Sequence, residues 1–81
     1  MQMRLKCNIE RGMFSDERVI VVRDAGGREA DFFVPASFVD EKSRTVRVSI
    51  VNGPTSGHKL AVIPTSRRPT IEVRSSDLVE S

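Results

Sequence analysis

The side chains best equipped for chemistry are few and widely spaced. Cys7 is the only thiol and His58 the only imidazole in the 81 residues. Nucleophilic catalysis needs a nucleophile, a base and an orienting group held together. Cys7 falls in step with Met3, Leu5 and Ile9, so it reads as a small buried hydrophobe and not as an activated thiolate. Ser56 and His58 stand two apart in a segment of loop composition, a spacing that pre-organises no hydrogen bond between them. The acidic pairs Asp16-Glu17 and Asp40-Glu41 are chain neighbours. On an extended backbone neighbours point apart, and no calcium-loop spacing surrounds either pair. Gly53 to Lys59 has a glycine-bounded look. It holds three residues between its glycines, where a phosphate loop needs four followed by Lys and Ser or Thr. A single cysteine leaves no internal disulfide and no multi-cysteine zinc set. These residues argue against an enzyme, and neither a cofactor nor a metal site is expected.

What must position these residues is a set of short strands. Met3, Leu5, Cys7 and Ile9 alternate with Arg4, Lys6, Asn8 and Glu10, a period of two that predicts a strand over 3–10. Val19 to Val22 is a β-branched run bounded by charges, and Asp31 to Val34 returns after the turn residues Asp24 to Arg28. Thr45 to Val51 alternates most clearly, with Val46, Val48 and Ile50 on one face. Lys59 to Ile63 and Thr70 to Arg74 complete six predicted strands. Pro35 to Val39 and Ser75 to Val79 each read as one helical turn. No repeat period is evident, and no linker divides the chain, so 1–81 reads as a single all-β domain.

A sheet this small must dispose of its edges, and curling is the economical way. The expected fold is therefore a five- to six-stranded barrel or a strongly twisted antiparallel sheet, with at most two short helical turns. In its string of elements the chain resembles the small SH3-like barrels: a tight hairpin turn early, a longer hairpin loop later, and a last strand leading into Ser75-Ser76-Asp77-Leu78. The proline-peptide surface of signalling SH3 domains uses Tyr and Trp, and this chain has neither. An OB-type barrel fits the strand count nearly as well.

Charge placement is the remaining signal. The formal net charge is +2. Residues 42–74 carry Lys42, Arg44, Arg47, Lys59, Arg67, Arg68 and Arg74 against Glu72 alone, a net +6. This composition predicts a basic face through which Arg47, Lys59, Arg67, Arg68 and Arg74 dock an acidic protein partner. Nucleic-acid backbone is the alternative partner. Outward Arg and Lys also keep β-edges soluble, and the only aromatics are Phe14, Phe32, Phe33 and Phe38, few for base stacking. Met13 and Phe14 follow Gly12 in a loop. They offer a second, apolar contact surface, or a plug over an open end of the core. No uninterrupted apolar run is longer than the four residues of Val19 to Val22, so no membrane helix is expected. No signal-peptide pattern opens the chain, and a cytoplasmic monomer or weak homodimer is the expectation.

Overall fold

The structure, a computed structural model, describes residues 2–11, 15–52 and 57–80. It is all-β, with nine strands and two 3₁₀ turns among those residues. In chain order the elements are β1 (Met3–Lys6), β2 (Asn8–Arg11), β3 (Glu17–Arg23), β4 (Glu29–Pro35), a 3₁₀ turn (Ala36–Phe38) and β5 (Val39–Asp40). There follow β6 (Thr45–Asn52), β7 (His58–Val62), β8 (Thr70–Arg74), a second 3₁₀ turn (Ser75–Asp77) and β9 (Leu78–Glu80). Both expected helical turns are present as single 3₁₀ turns.

The strands form two antiparallel sheets that do not close into a barrel. One runs β8-β7-β6-β1-β9, with β5 also on β6, and the other runs β2-β3-β4. The predicted strand 3–10 is split at Cys7. The Cys7 amide still donates to the Arg44 carbonyl at 3.0 Å, while Asn8 already pairs with Val21 of β3. The chain thus passes from one sheet to the other across a single residue. This bend, with the short β5 and β9, accounts for nine strands where six were expected.

The pairings contain an internal repeat that the sequence reading missed. β1 to β5 and β6 to β9 follow the same course, with β1 and β2 together matching the long β6: strand, hairpin, 3₁₀ turn, short strand. Asn8 pairs with Val21 as Ser49, 41 residues on, pairs with Val62. Val19 pairs with Phe33 as Leu60 pairs with Glu72. The Ala36 amide donates to the Asp16 carbonyl at 2.8 Å, and the Ser75 amide to the Gly57 carbonyl at 2.9 Å. The short strands are exchanged: β5 of the first half pairs with β6, and β9 of the second pairs with β1. At the centre β1 lies antiparallel to β6 with Leu5 opposite Val46, and Leu5 and Val46 are themselves repeat equivalents. An approximate twofold axis therefore passes through that pair.

The core obeys the same relation. Among the described residues the ten buried apolar ones are five equivalent pairs: Leu5 with Val46, Cys7 with Val48, Ile20 with Ala61, Val22 with Ile63, and Val34 with Val73. Ile9 with Ile50, Phe32 with Ile71 and Val39 with Leu78 pack around them. Each half alone presents one apolar wall. Burial of about 25 cal/mol per Å² is realised only where the two walls meet.

Candidate interaction surface

The alternation that sends Leu5, Val46 and Val48 into the core sends Arg4, Lys6, Thr45 and Arg47 to the other face of the central strands. Arg4 and Arg47 are direct cross-strand partners. Like charges in that position repel, and nothing on the strands neutralises both. Arg47 is half-buried, with its guanidinium carbon 5.6 Å from the centroid of the Phe38 ring, a cation–π stack. Two guanidinium nitrogens, Arg4 Nη1 and Arg47 Nε, are shielded from solvent and have no hydrogen-bond partner. A buried donor left unpaired on a charged group is costly, and it adds to the repulsion between the two arginines.

Asp40 lies next to this pair. Its Oδ1 accepts from the Lys42 amide at 3.0 Å and the Ser43 amide at 3.4 Å. Hydrogen bonds from Ser43 foremost, then Lys42, with the Arg4 charge adding, hold its carboxyl below the usual carboxylate range. Asp40 is thus engaged by its own turn. A recess lined by Arg4, Lys6, Asp40, Arg44, Thr45 and Val79 opens here.

On the other side of Arg47 runs a longer groove of about 1040 Å³. Phe33, Pro35 and Phe38 form one wall, Pro64, Thr65, Ser66 and Arg68 the other, and Val48 and Ile50 part of the floor. Arg47 and Arg68 are its charged lining, and no acidic side chain lines it. Phe33 is the most exposed large apolar residue described, at 59%. Arg68 holds a positive φ of 48° directly before Pro69, an uncommon backbone for a side chain of this size.

The predicted basic face is dispersed by this arrangement. Arg47 and Arg68 share the groove, and Arg67 is exposed in the same turn. Arg74 lies on the Arg47 face but six residues further along the strand direction, about 20 Å away at the rise of a strand. Lys59 falls in step with Ala61 and Ile63 and opposite the buried Val73, so its side chain leaves the opposite face of the sheet. Met13 and Phe14 lie outside the described residues. The sequence reading noted Arg4 as outward but did not select it, nor did it select Phe33 or Phe38. Period-two alternation was a signal for Arg4. Its pairing with Arg47 follows from strand order, which local pattern does not carry.

Of the groups weighed for catalysis, Ser56 lies outside the described residues. Cys7 is buried in the core, and burial pushes its thiol up to about 11. His58 Nδ1 lies 2.6 Å from Glu72 Oε2 in the β7–β8 ladder. Among the described residues no three His, Cys, Asp or Glu side chains come together as a metal set. Comparison with known proteins gave no match, whether to a family profile, a curated protein or a solved structure.

Proposed function

We propose that this protein is a non-catalytic interaction module whose central basic pair, Arg4 and Arg47, takes an acidic group of a protein partner. The observation that carries this reading is the pair itself. Two arginines sit face to face on β1 and β6, and each keeps one shielded guanidinium nitrogen without an acceptor. A carboxylate bound at the accessible edges of the two guanidinium groups relieves the repulsion. The likeness to SH3-like domains remains one of element order, in particular the 3₁₀ turn ahead of β9. It gives no partner.

A protein carboxylate fits better than a nucleic acid for one local reason. The Phe38 ring is already stacked by Arg47, which removes it as a platform for a base. The test is an amide and arginine side-chain shift titration of labelled protein with a ten-residue oligoglutamate, and in parallel with a mixed-sequence RNA. The expected result is saturable shifts at Arg4 and Arg47 with glutamate, weakened about tenfold in Arg47→Gln by loss of one charge-assisted hydrogen bond. Shifts with RNA alone that fall log-linearly with salt would transfer the site to the nucleic-acid reading. Silence with both at low salt would end the proposal.

A further inference from the structure

The twofold relation fails at one place, and that place is the groove beside Arg47. In the first half the hairpin tip Asp24 to Arg28 reaches across to β8, where the Ala25 amide donates to the Glu72 carbonyl at 2.8 Å. The repeat equivalents of Ala25 and Glu72 are Ser66 and Phe33. No such bond joins them, and both line the groove instead. The cause is length. Val22 pairs with Ala30 across seven intervening residues, whereas the equivalent Ile63 amide bonds the Pro69 carbonyl across five. The second hairpin is short by one strand pair, about 3.4 Å of reach on each arm.

The consequence for β4 is an unpaired edge with a defined polarity. Because the Glu72 carbonyl accepts from Ala25, its backbone points away from β7. The matched register gives Phe33 the same sense, pointing away from β3 toward the groove, and Asp31 two residues back likewise. β4 also ends its sheet. An open edge beside an exposed aromatic is the template for addition of a strand. In the second half the same kind of edge, on β8, is covered by the Ala25 backbone amide of the first half.

From this we propose that the groove holds an extended segment of a partner protein, added as an extra strand along the β4 edge, with an acidic side chain on Arg47 and Arg68. This rests on the interaction-module reading above and adds to it the binding mode. Charge selects the occupant. Arg47 and Arg68 are the charged lining of the groove beside Phe33 and Pro35, and no acidic side chain offsets them there. Asp31 stands outside that end and asks for a neutral residue opposite it. Phe33 and the apolar floor take the alternate side chains of the strand.

The experiment uses an acetylated, amidated peptide of sequence Thr-Val-Glu-Val-Glu-Thr titrated into the labelled full chain. Two companion peptides carry Lys for Glu, or N-methyl groups on alternate backbone amides. Strand addition predicts shifts at the Asp31, Phe33 and Ser66 amides and slowed hydrogen exchange at Asp31 and Phe33. It predicts a loss of about fivefold or more in affinity for the Lys peptide, and abolition with the N-methylated one. Phe33→Ser and Arg68→Gln weaken binding while Arg74→Gln does not, each variant first checked for an unchanged melting profile. Equal binding of the N-methylated peptide would overturn strand addition while leaving the basic-pair reading intact. Shifts confined to Arg4 and Lys6 would do the same. Peptide-free, concentration-dependent shifts along β4 would assign the edge to a second copy of this chain and overturn the proposal.

Discussion

The two halves of this molecule share a core and differ at their edges. Residue for residue, β1 to β5 and β6 to β9 place equivalent side chains on either side of one axis, and among the described residues all ten buried apolar ones belong to equivalent pairs. At the periphery the equivalence lapses. Exposed Phe33 faces a groove where its counterpart Glu72 holds His58 and receives Ala25. The first hairpin covers the edge of β8, and the second is too short to cover that of β4. Shared positions are those where any change leaves a cavity or a buried polar group. Solvent tolerates change at the positions that differ, and the proposed partner surface is there.

The comparison is broken most severely by separating the halves. β5 pairs only with β6, and β9 only with β1, so each half lends its last strand to the other. Peptides covering 1–41 and 42–81 should each be unfolded alone, and should regain sheet structure when mixed in equal amounts. Circular dichroism of the separate and mixed peptides decides this. A half that folds alone would mean it can take both roles by pairing with its own copy, and that the exchange is dispensable.

Next in size are truncations in the core, one in each half. Ile20→Ala and Ile63→Ala remove side chains that are fully buried on opposite sides of the axis. Each should cost about 2–5 kcal/mol, a large share of the stability of a domain this small. Because the walls pack only on each other, both variants should lower one and the same transition, with hydrogen exchange accelerated in both halves. Two separable transitions, one per half, would contradict the single shared core.

A third difference within the core is Cys7 against Val48. Burial raises the Cys7 thiol from its ordinary value of 9.0 to about 11. The folded value lies above the unfolded one, so the folded state holds the proton more tightly. Its stabilising effect is complete below about pH 9 and is lost as pH rises toward 11. The loss should approach about 2 kcal/mol, read as the fall in denaturation midpoint between those pH values. Cys7→Val, which copies the residue of the other half, should flatten that slope. A slope unchanged by the substitution would assign the alkaline loss to the lysines.

The core was legible in the sequence because alternation is local. Val46, Val48 and Ile50, and Leu5 with Cys7, were placed inward from spacing alone, and both 3₁₀ turns stood out from their flanking residues. The repeat was not legible. Equivalent positions keep apolar character but few identities, such as Ile9 with Ile50, Val21 with Val62 and Val34 with Val73. The offset also changes from 41 residues before the hairpin turns to 39 after them, so no single period runs through the chain. The candidate surface was half legible. Arg47 and Arg68 were selected for charge, but their union in a groove with Phe33 depends on a hairpin stopping one pair short. Lys59 was grouped with the other basic residues for its charge, and its step with Ala61 and Ile63 sets it on the opposite face from Arg47.

The smallest predicted effect bears most directly on why the two edges differ. Ala25 occupies the second position of a turn closed by the Gly27 amide on the Asp24 carbonyl at 3.0 Å, a position proline favours. Ala25→Pro keeps that turn and removes the one amide that covers β8. Loss of the hydrogen bond to Glu72, about 1 kcal/mol, is offset by the reduced freedom of the unfolded chain. The melting midpoint should therefore move by no more than a few degrees, while β8 gains an open edge like that of β4. The acidic peptide should still ignore it. Glu72, with its carboxylate on His58, stands where Phe33 stands in the other half, and the new edge repels the charge that the groove attracts. Peptide-induced shifts on β8 of this variant would show that an open edge alone suffices, and that Arg47, Arg68 and Phe33 confer no selectivity.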